Sequence, residues 1–312
     1  MNQFLGPLIC LFLFIVHLQA DQHDKDIKTS LWIDLYHGEV ISYEDLIYDL
    51  SQARVIYLGE THRIRRHHQW QLKILQALQD KGHQLILGLE QIESSYQKQV
   101  EQYNKGKDTF ERFATNIDWE KRWHNYIDYQ DLVIYAQQKS IPIIALNAKA
   151  EIIRKIGRQG LHTLPKAERN QLPKTINWED DPIYREWLDK ILLVHMPLNP
   201  EKLPLYFQAQ VARDENMAEQ LVKALKDKGD DAKAVVITGS GHVNYGLGMP
   251  QRVTRWLGEH KKRIILFSDS GELKLTYEEK AIAREIAITH DDLNFIKSPI
   301  ANYLLATEIK KE

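Results

Sequence analysis

The chain has 312 residues, 43% of them hydrophobic and 27% charged, with a formal net charge of −2. That balance fits an ordinary globule with a sizeable core and excludes a dedicated nucleic-acid binder, which would be strongly basic. Cys10 is the only cysteine, so a chain cut after residue 20 would have neither disulfides nor thiolate metal sites.

Residues 4–18 (FLGPLICLFLFIVHL) are almost wholly apolar. They are shorter than the roughly 20 residues of a comfortable membrane span. A polar run, DQHDKD, follows Ala20. Residues 1–20 therefore read as a signal peptide, which implies an exported protein, periplasmic or associated with the envelope. The segment ahead of the apolar run lacks Lys and Arg, which leaves an uncleaved anchor as the other reading. Cys10 lies inside the apolar run, which disfavours it as a lipid acceptor.

Residues 21–312 read as a single α/β domain. Residues 31–35 and 39–42, joined through His37-Gly38, form an expected hairpin. Ser42 then caps a short helix, with Asp45 three positions on. Five runs read as buried strands: Val55–Leu58, Leu85–Leu89, Pro142–Leu146, Ala234–Thr238 and Arg263–Phe267. They are rich in Val, Ile and Leu with little alternation, as in a mostly parallel central sheet covered by helices on both faces. Helical periodicity fills His67–Lys81, through Trp70, Ile74, Leu75 and Leu78, and Tyr206–Lys228, through Val211, Met217, Leu221 and Leu225. Stretches around 104–135 and 161–205 hold several helices and read as a helical cap or insert. The tail from Tyr277 carries a weaker pattern and is expected to pack across the sheet.

Open α/β sheets bind ligands at the carboxyl ends of their strands. There the chain places Gly59-Glu60-Thr61-His62, Glu90, Asn147 and Gly239-Ser240-Gly241-His242. The glycines are expected to let the backbone turn sharply beside a ligand. Glu60, His62, Glu90 and His242 would then converge on one crevice. Each alone could be a hydrogen-bonded turn residue. Together they suit a divalent cation held by His62, Glu90 and His242, or a general base with electrostatic partners. Burying both acids without partners would be costly. The run Arg63–Arg66 with His67 and His68 begins an expected helix, where an anion could sit. Such runs are more often a solvated surface, and the two histidines read as structural.

The segment VIYLGETHRIRRHHQWQLKIL resembles the opening motif of the ChaN-like haem-binding family, within the Tiki and erythromycin-esterase-like superfamily. The resemblance continues in GLEQIESSYQ, IPIIALNAKAEIIRKIGRQGLHTL, FQAQVARDENMAEQL and GSGHVNYGLGMPQRV, five motifs in order. Glu60, His62, His67, His68 and Gln71 match the first, Glu90 and Gln97 the second, and Asn147 and Gly160 the third. Gln210, Arg213, Asp214 and Met217 match the fourth. His242, Gly248, Pro250 and Arg252 match the last. Arg63 stands where the family usually carries an acid, and Gln91-Ile92 replace a more usual Met-aromatic pair.

The resemblance implies haem binding at the envelope in iron acquisition. It also implies an alternative, a metal-dependent hydrolase or protease using His62, Glu90 and His242. Haem iron needs an axial ligand, and a phenolate suits ferric iron. Tyr206 and Tyr245, beside the last two motifs, are the candidates, although most of the 14 tyrosines should be packing residues. In the hydrolase reading Arg213 would steady a developing oxyanion, or else pair with Asp214 to pin a helix end. No Gly-x-Ser-x-Gly elbow is present, and Ser240 is a poor nucleophile candidate. A third class, an interaction protein with an unliganded polar network, stands behind both. A homodimer holding haem between its subunits is a further expectation.

Overall fold

The computed structural model describes residues 30–178, 181–195, 199–267 and 291–307. The signal segment, Cys10 and residues 277–290 of the tail lie outside the described residues. In chain order the elements are β1 (Ser30–Asp34), β2 (Glu39–Ile41), α1 (Tyr43–Gln52), β3 (Val55–Glu60), α2 (Arg65–Asp80) and β4 (Leu85–Glu93). Next come α3 (Gln97–Asn104), α4 (Phe110–Asn116), α5 (Trp119–Arg122), α6 (Gln130–Gln138), β5 (Ile143–Asn147), α7 (Ala150–Gln159) and α8 (Lys166–Arg169). The last are α9 (Pro182–His195), α10 (Leu203–Lys228), β6 (Lys233–Gly239), α11 (Met249–Leu257), β7 (Lys262–Phe267) and β8 (Tyr303–Thr307).

One eight-stranded sheet runs in the order β2-β1-β8-β7-β3-β6-β4-β5. All pairs from β8 to β5 are parallel, and the β1–β2 hairpin joins antiparallel through β8. The expected α/β class is therefore observed. The five strands read from apolar runs all lie in the parallel part. Their lack of alternation has a direct cause. In β3, Ile56 and Leu58 enter one core with Trp70, Ile74 and Leu75 of α2, while Val55 and Tyr57 enter another with Met217, Leu221 and Leu225 of α10. Both faces are covered, so consecutive residues are all buried.

The hairpin forms as expected, with Gly38 at φ 71°, and the Ser42 hydroxyl accepts from the Asp45 amide at 3.0 Å. Helix α10 starts a turn before the expected Tyr206. Pro204 sits in its first turn, where a missing N–H costs nothing. The 104–135 stretch supplies α4 and α5, and its aromatic residues Phe110, Phe113, Trp119 and Tyr129 pack into the α2 core. From the 161–205 stretch, Tyr184, Trp187 and Leu188 of α9 pack on Phe207 and Val211 of α10.

The order of strands positions the site. Strand β6 lies between β3 and β4. Glu60 pairs with Gly239 in register, and Leu89 pairs with Ile237. Glu60, Glu90 and the Gly239–His242 turn thus stand side by side, about two strand spacings of 4.7–4.9 Å across.

The glycines act differently from expectation. Gly239 has an ordinary φ of −59°, and Gly59 lies inside β3. They are there for space. A Cβ on Gly59 would lie 2.6 Å from Leu266 Cδ2 and 2.9 Å from Val243 Cγ2. Gly59→Ala should therefore lower the unfolding free energy by about 1–3 kcal/mol through overpacking. Urea unfolding of the purified protein measures this, and an unchanged midpoint would show that the contact yields freely.

Candidate active site at the strand ends

Glu60 is buried, and its carboxylate is a hub. Oε1 accepts from His62 Nδ1 at 2.8 Å, from Gln91 Nε2 at 3.1 Å and from the Tyr129 hydroxyl. Oε2 accepts from Gln71 Nε2 at 2.6 Å and faces His68 Nδ1 at 3.2 Å. Burial pushes the Glu60 carboxyl up. The hydrogen bonds and charges of His62 and His68 more than reverse this and bring it down to about 2. Burial likewise lowers both histidines, and Glu60 outweighs it and raises them.

Glu90 forms the second centre. Its Oε2 accepts from Thr238 Oγ1 and from the Gly239 amide, both at 2.7 Å, and Oε1 faces His242 Nε2 at 3.3 Å. Burial opposes ionisation, but His242, His62 and Arg213 hold the carboxyl well below its usual range. His242 Nδ1 lies 2.5 Å from Asp214 Oδ1, whose other oxygen accepts from the Tyr184 hydroxyl at 2.7 Å. Burial lowers the imidazole, yet its two carboxylate neighbours raise it to about 9. The ring is thus an imidazolium at neutral pH, donating from both nitrogens. The amide of Gln210 lies 3.0 Å from the same Nδ1.

The four residues read from the sequence therefore do converge. Their accessibility differs sharply. The His62 side chain is 36% exposed, against 0% for Glu60, 2% for Glu90 and 7% for His242. His62 is the member that can meet a ligand. Its ring stands edge-on to Trp123, with centroids 4.8 Å apart. A Cβ on Gly239 would lie 2.9 Å from its Nε2, which explains that glycine. His67 and His68 are structural. Thr61 donates its amide to His67 Nδ1 at 3.1 Å, and the ring stacks on Phe267.

The divalent-cation reading of His62, Glu90 and His242 finds no support in this geometry. Among the described residues no group of three or more His, Cys, Asp or Glu could hold a metal ion. Glu90 Oε2 is taken by two donors, and both His242 nitrogens point at carboxylates. A cation there would displace protons that the carboxylates hold in place.

Tyr206 and Tyr245 lie away from this core, while Arg213 is near enough for its charge to act on Glu90. Tyr206, Gln210 and Arg213 share one face of α10 and line a cavity of about 390 Å³ with Arg154, Arg158, Ile153, Leu188, Leu192 and Ala209. Arg213 makes no ion pair with Asp214, whose oxygens serve His242 and Tyr184. It also borders a smaller cavity beside Glu90. Tyr245 is half-buried, packs edge-on to Trp187, and does not line the Tyr206 cavity.

Nothing in the sequence marks Tyr129 or Tyr184 as members of the site. Each approaches from a helical stretch with no strand-end signal. Gln91 stood out only as a departure from a family pattern, and its amide proves to be a donor to Glu60.

Residues 46–253 match the family described as haem-binding uptake, Tiki superfamily, ChaN. Over 255 residues the chain is 25% identical to the protein RETICULATA-RELATED 5, chloroplastic, of Arabidopsis thaliana. That alignment takes in 75% of this chain and 34% of the relative, so the chain spans about a third of its length. A solved structure described as cofacial heme binding to ChaN of Campylobacter jejuni shares the fold, with a TM-score of 0.65 and 22% identity over 89% of this chain and 97% of that one. A mutant erythromycin esterase in its open conformation gives a TM-score of 0.43 at 11% identity over 76% of each chain.

Two outcomes test the site's electrostatics. Glu60→Gln would leave several buried donors facing an amide and should cost about 3–5 kcal/mol of stability in denaturant unfolding. The His242 contribution to stability is complete below its ordinary value of 6.5 and is lost as pH rises through about 9. That of Glu60 is complete above 4.5 and is lost as pH falls toward about 2. Tm should therefore peak between these limits, with an alkaline decline that flattens in His242→Gln.

Proposed function

The chain belongs to the haem-binding uptake family of the ChaN type, Tiki superfamily, and from that membership we propose that it binds haem in the cavity on the Tyr206 face of α10. The observation that carries the proposal is the composition of that cavity. Ile153, Leu188, Leu192 and Ala209 give it an apolar wall, and Arg154, Arg158 and Arg213 bring three guanidinium groups to it. Apolar surface suits the macrocycle, and guanidinium groups suit the propionates. The Tyr206 phenol offers a hard anionic donor for ferric iron. Tyr245, held against Trp187 outside this cavity, is the weaker candidate ligand.

The proposed setting is the exported compartment, periplasm or envelope, supported by the apolar run at residues 4–18 ahead of Ala20. There the protein would serve haem or iron acquisition. The Campylobacter jejuni protein binds haem cofacially. A homodimer that brings two haems face to face is the assembly proposed here.

A second reading is hydrolytic and rests on the half-buried His62 with Glu60 behind it at 2.8 Å. Burial lowers the His62 pKa, yet Glu60 and Glu90 raise it overall, which favours a role as hydrogen-bond donor or general acid. Turnover of a chromogenic ester that disappears in His62→Gln would support that reading, and inertness of the wild type would remove it.

Titration of the full chain with hemin should give a saturable Soret shift. Tyr206→Phe should abolish the ferric–phenolate bands while Tyr245→Phe keeps them. The double variant Arg154→Ala/Arg158→Ala should weaken binding roughly tenfold or more, the scale of one lost charge-assisted hydrogen bond. No saturable shift in the wild type would refute haem binding. Loss in Tyr245→Phe alone would move the axial ligand.

A further inference from the structure

A second cavity, of about 170 Å³, lies beside Glu90 and shares Arg213 with the Tyr206 cavity. Irregular pairing of two strands builds it. Leu89 pairs with Ala145 and Glu93 with Asn147, so Glu90, Gln91 and Ile92 stand opposite the single Leu146. This bulge breaks the alternation of β4 and brings Glu90, Gln91 and Glu93 to one cavity with Asn147.

Three side-chain oxygens there are buried without a hydrogen-bond partner: Gln91 Oε1, Glu93 Oε2 and Asn147 Oδ1. Their residues are only 3%, 7% and 8% exposed. The Gln91 orientation is fixed chemically, because its Nε2 must be the end that faces the Glu60 carboxylate. Two residues of the same lining carry buried, unpartnered donors: Arg122 Nε and Arg213 Nε. Leaving five such groups dry would cost about 1–3 kcal/mol each.

We propose that this cavity binds a small neutral polyhydroxylated molecule, a polyol or a single sugar ring, at a site separate from the Tyr206 cavity. Charge and hydrogen-bonding capacity select that class. An anion would suit the two guanidinium edges but would face three bare acceptor oxygens and Glu90. A cation would suit the oxygens but would sit beside two arginines. Glu90, Glu93 and Arg122 already have charged partners. Arg122 Nη1 donates to Glu93 Oε1 at 2.8 Å, and Glu90 faces His242 at 3.3 Å. A hydroxyl both donates and accepts, so it satisfies either kind of orphan atom without adding charge. The indole of Trp123, also on the lining, offers an apolar face to the C–H face of a ring. The volume corresponds to about five or six waters at ~30 Å³ each, too small for haem.

The test is calorimetric titration and saturation-transfer NMR of the full chain with glycerol, ribose, glucose and N-acetylglucosamine, with glycine and acetate as charged controls. At least one hydroxylated ligand should bind saturably at millimolar concentration, and neither control should. Asn147→Leu removes an acceptor and Ala148→Leu fills the space, so each should weaken binding at least tenfold. Tyr206→Phe should leave it unchanged while abolishing the ferric–phenolate bands, which separates this site from the haem reading. Circular dichroism checks that the variants fold. Absence of any hydroxylated ligand, preference for glycine or acetate, or binding indifferent to both leucine variants would overturn the proposal.

Discussion

One ionised carboxylate holds the centre of this molecule together. Glu60 stands in the interior with donors from four separate parts of the chain around it: His62 after β3, His68 and Gln71 on α2, Gln91 on β4 and Tyr129 ahead of α6. A buried carboxylate without partners would cost many kcal/mol or take up a proton. With these donors it stays charged and fixes the distances between sheet, helix and cap. The half-buried His62 is aimed by it, and Trp123, from the 104–135 stretch, stands edge-on to the His62 ring. A second carboxylate, Glu90, repeats the device two strands away with Thr238, Gly239 and His242. Asp214 and Tyr184 extend it into α10 and α9.

Much of this was legible in the sequence. The parallel strands showed because burial on both faces leaves consecutive apolar residues, as Val55 to Leu58 illustrate. Convergence of Glu60, His62, Glu90 and His242 followed from the rule that ligands gather at strand ends. Tyr129 and Tyr184 were not legible. Their roles depend on where two helical stretches dock, and docking leaves no periodic trace. Strand β8 was also hidden, because its five residues lie beyond a stretch with little pattern. The glycines at 59 and 239 were visible but misleading. Their reason is the nearness of Leu266 and of the His62 ring, which only packing reveals. The cation reading lacks support for a related reason. Ligand types were present, but Glu90 and His242 already commit most of their donors and acceptors to other protein groups.

Helix α10 divides the functional surface. Its Tyr206, Gln210 and Arg213 face a large, partly apolar cavity, while Arg213 also borders the small polar one. Gln210 touches His242. The two cavities therefore share walls with the buried ionic network although neither contains it. A ligand in the larger cavity would be one side chain, Gln210, away from His242, and one in the smaller would lie against Glu90 itself.

The placement of β6 between β3 and β4 also bears on how the chain matures. Strand β3 finds no parallel neighbour until residues 233–239 exist, whereas β4 can pair with β5 at 143–147 but keeps its other edge open until then. Until then two apolar ribbons with open edges wait in an unfinished chain, the kind of surface that self-associates. Pairings so distant in sequence also close slowly. Those edges stay open through most of synthesis, and β6 is the strand that joins the two ribbons into one sheet.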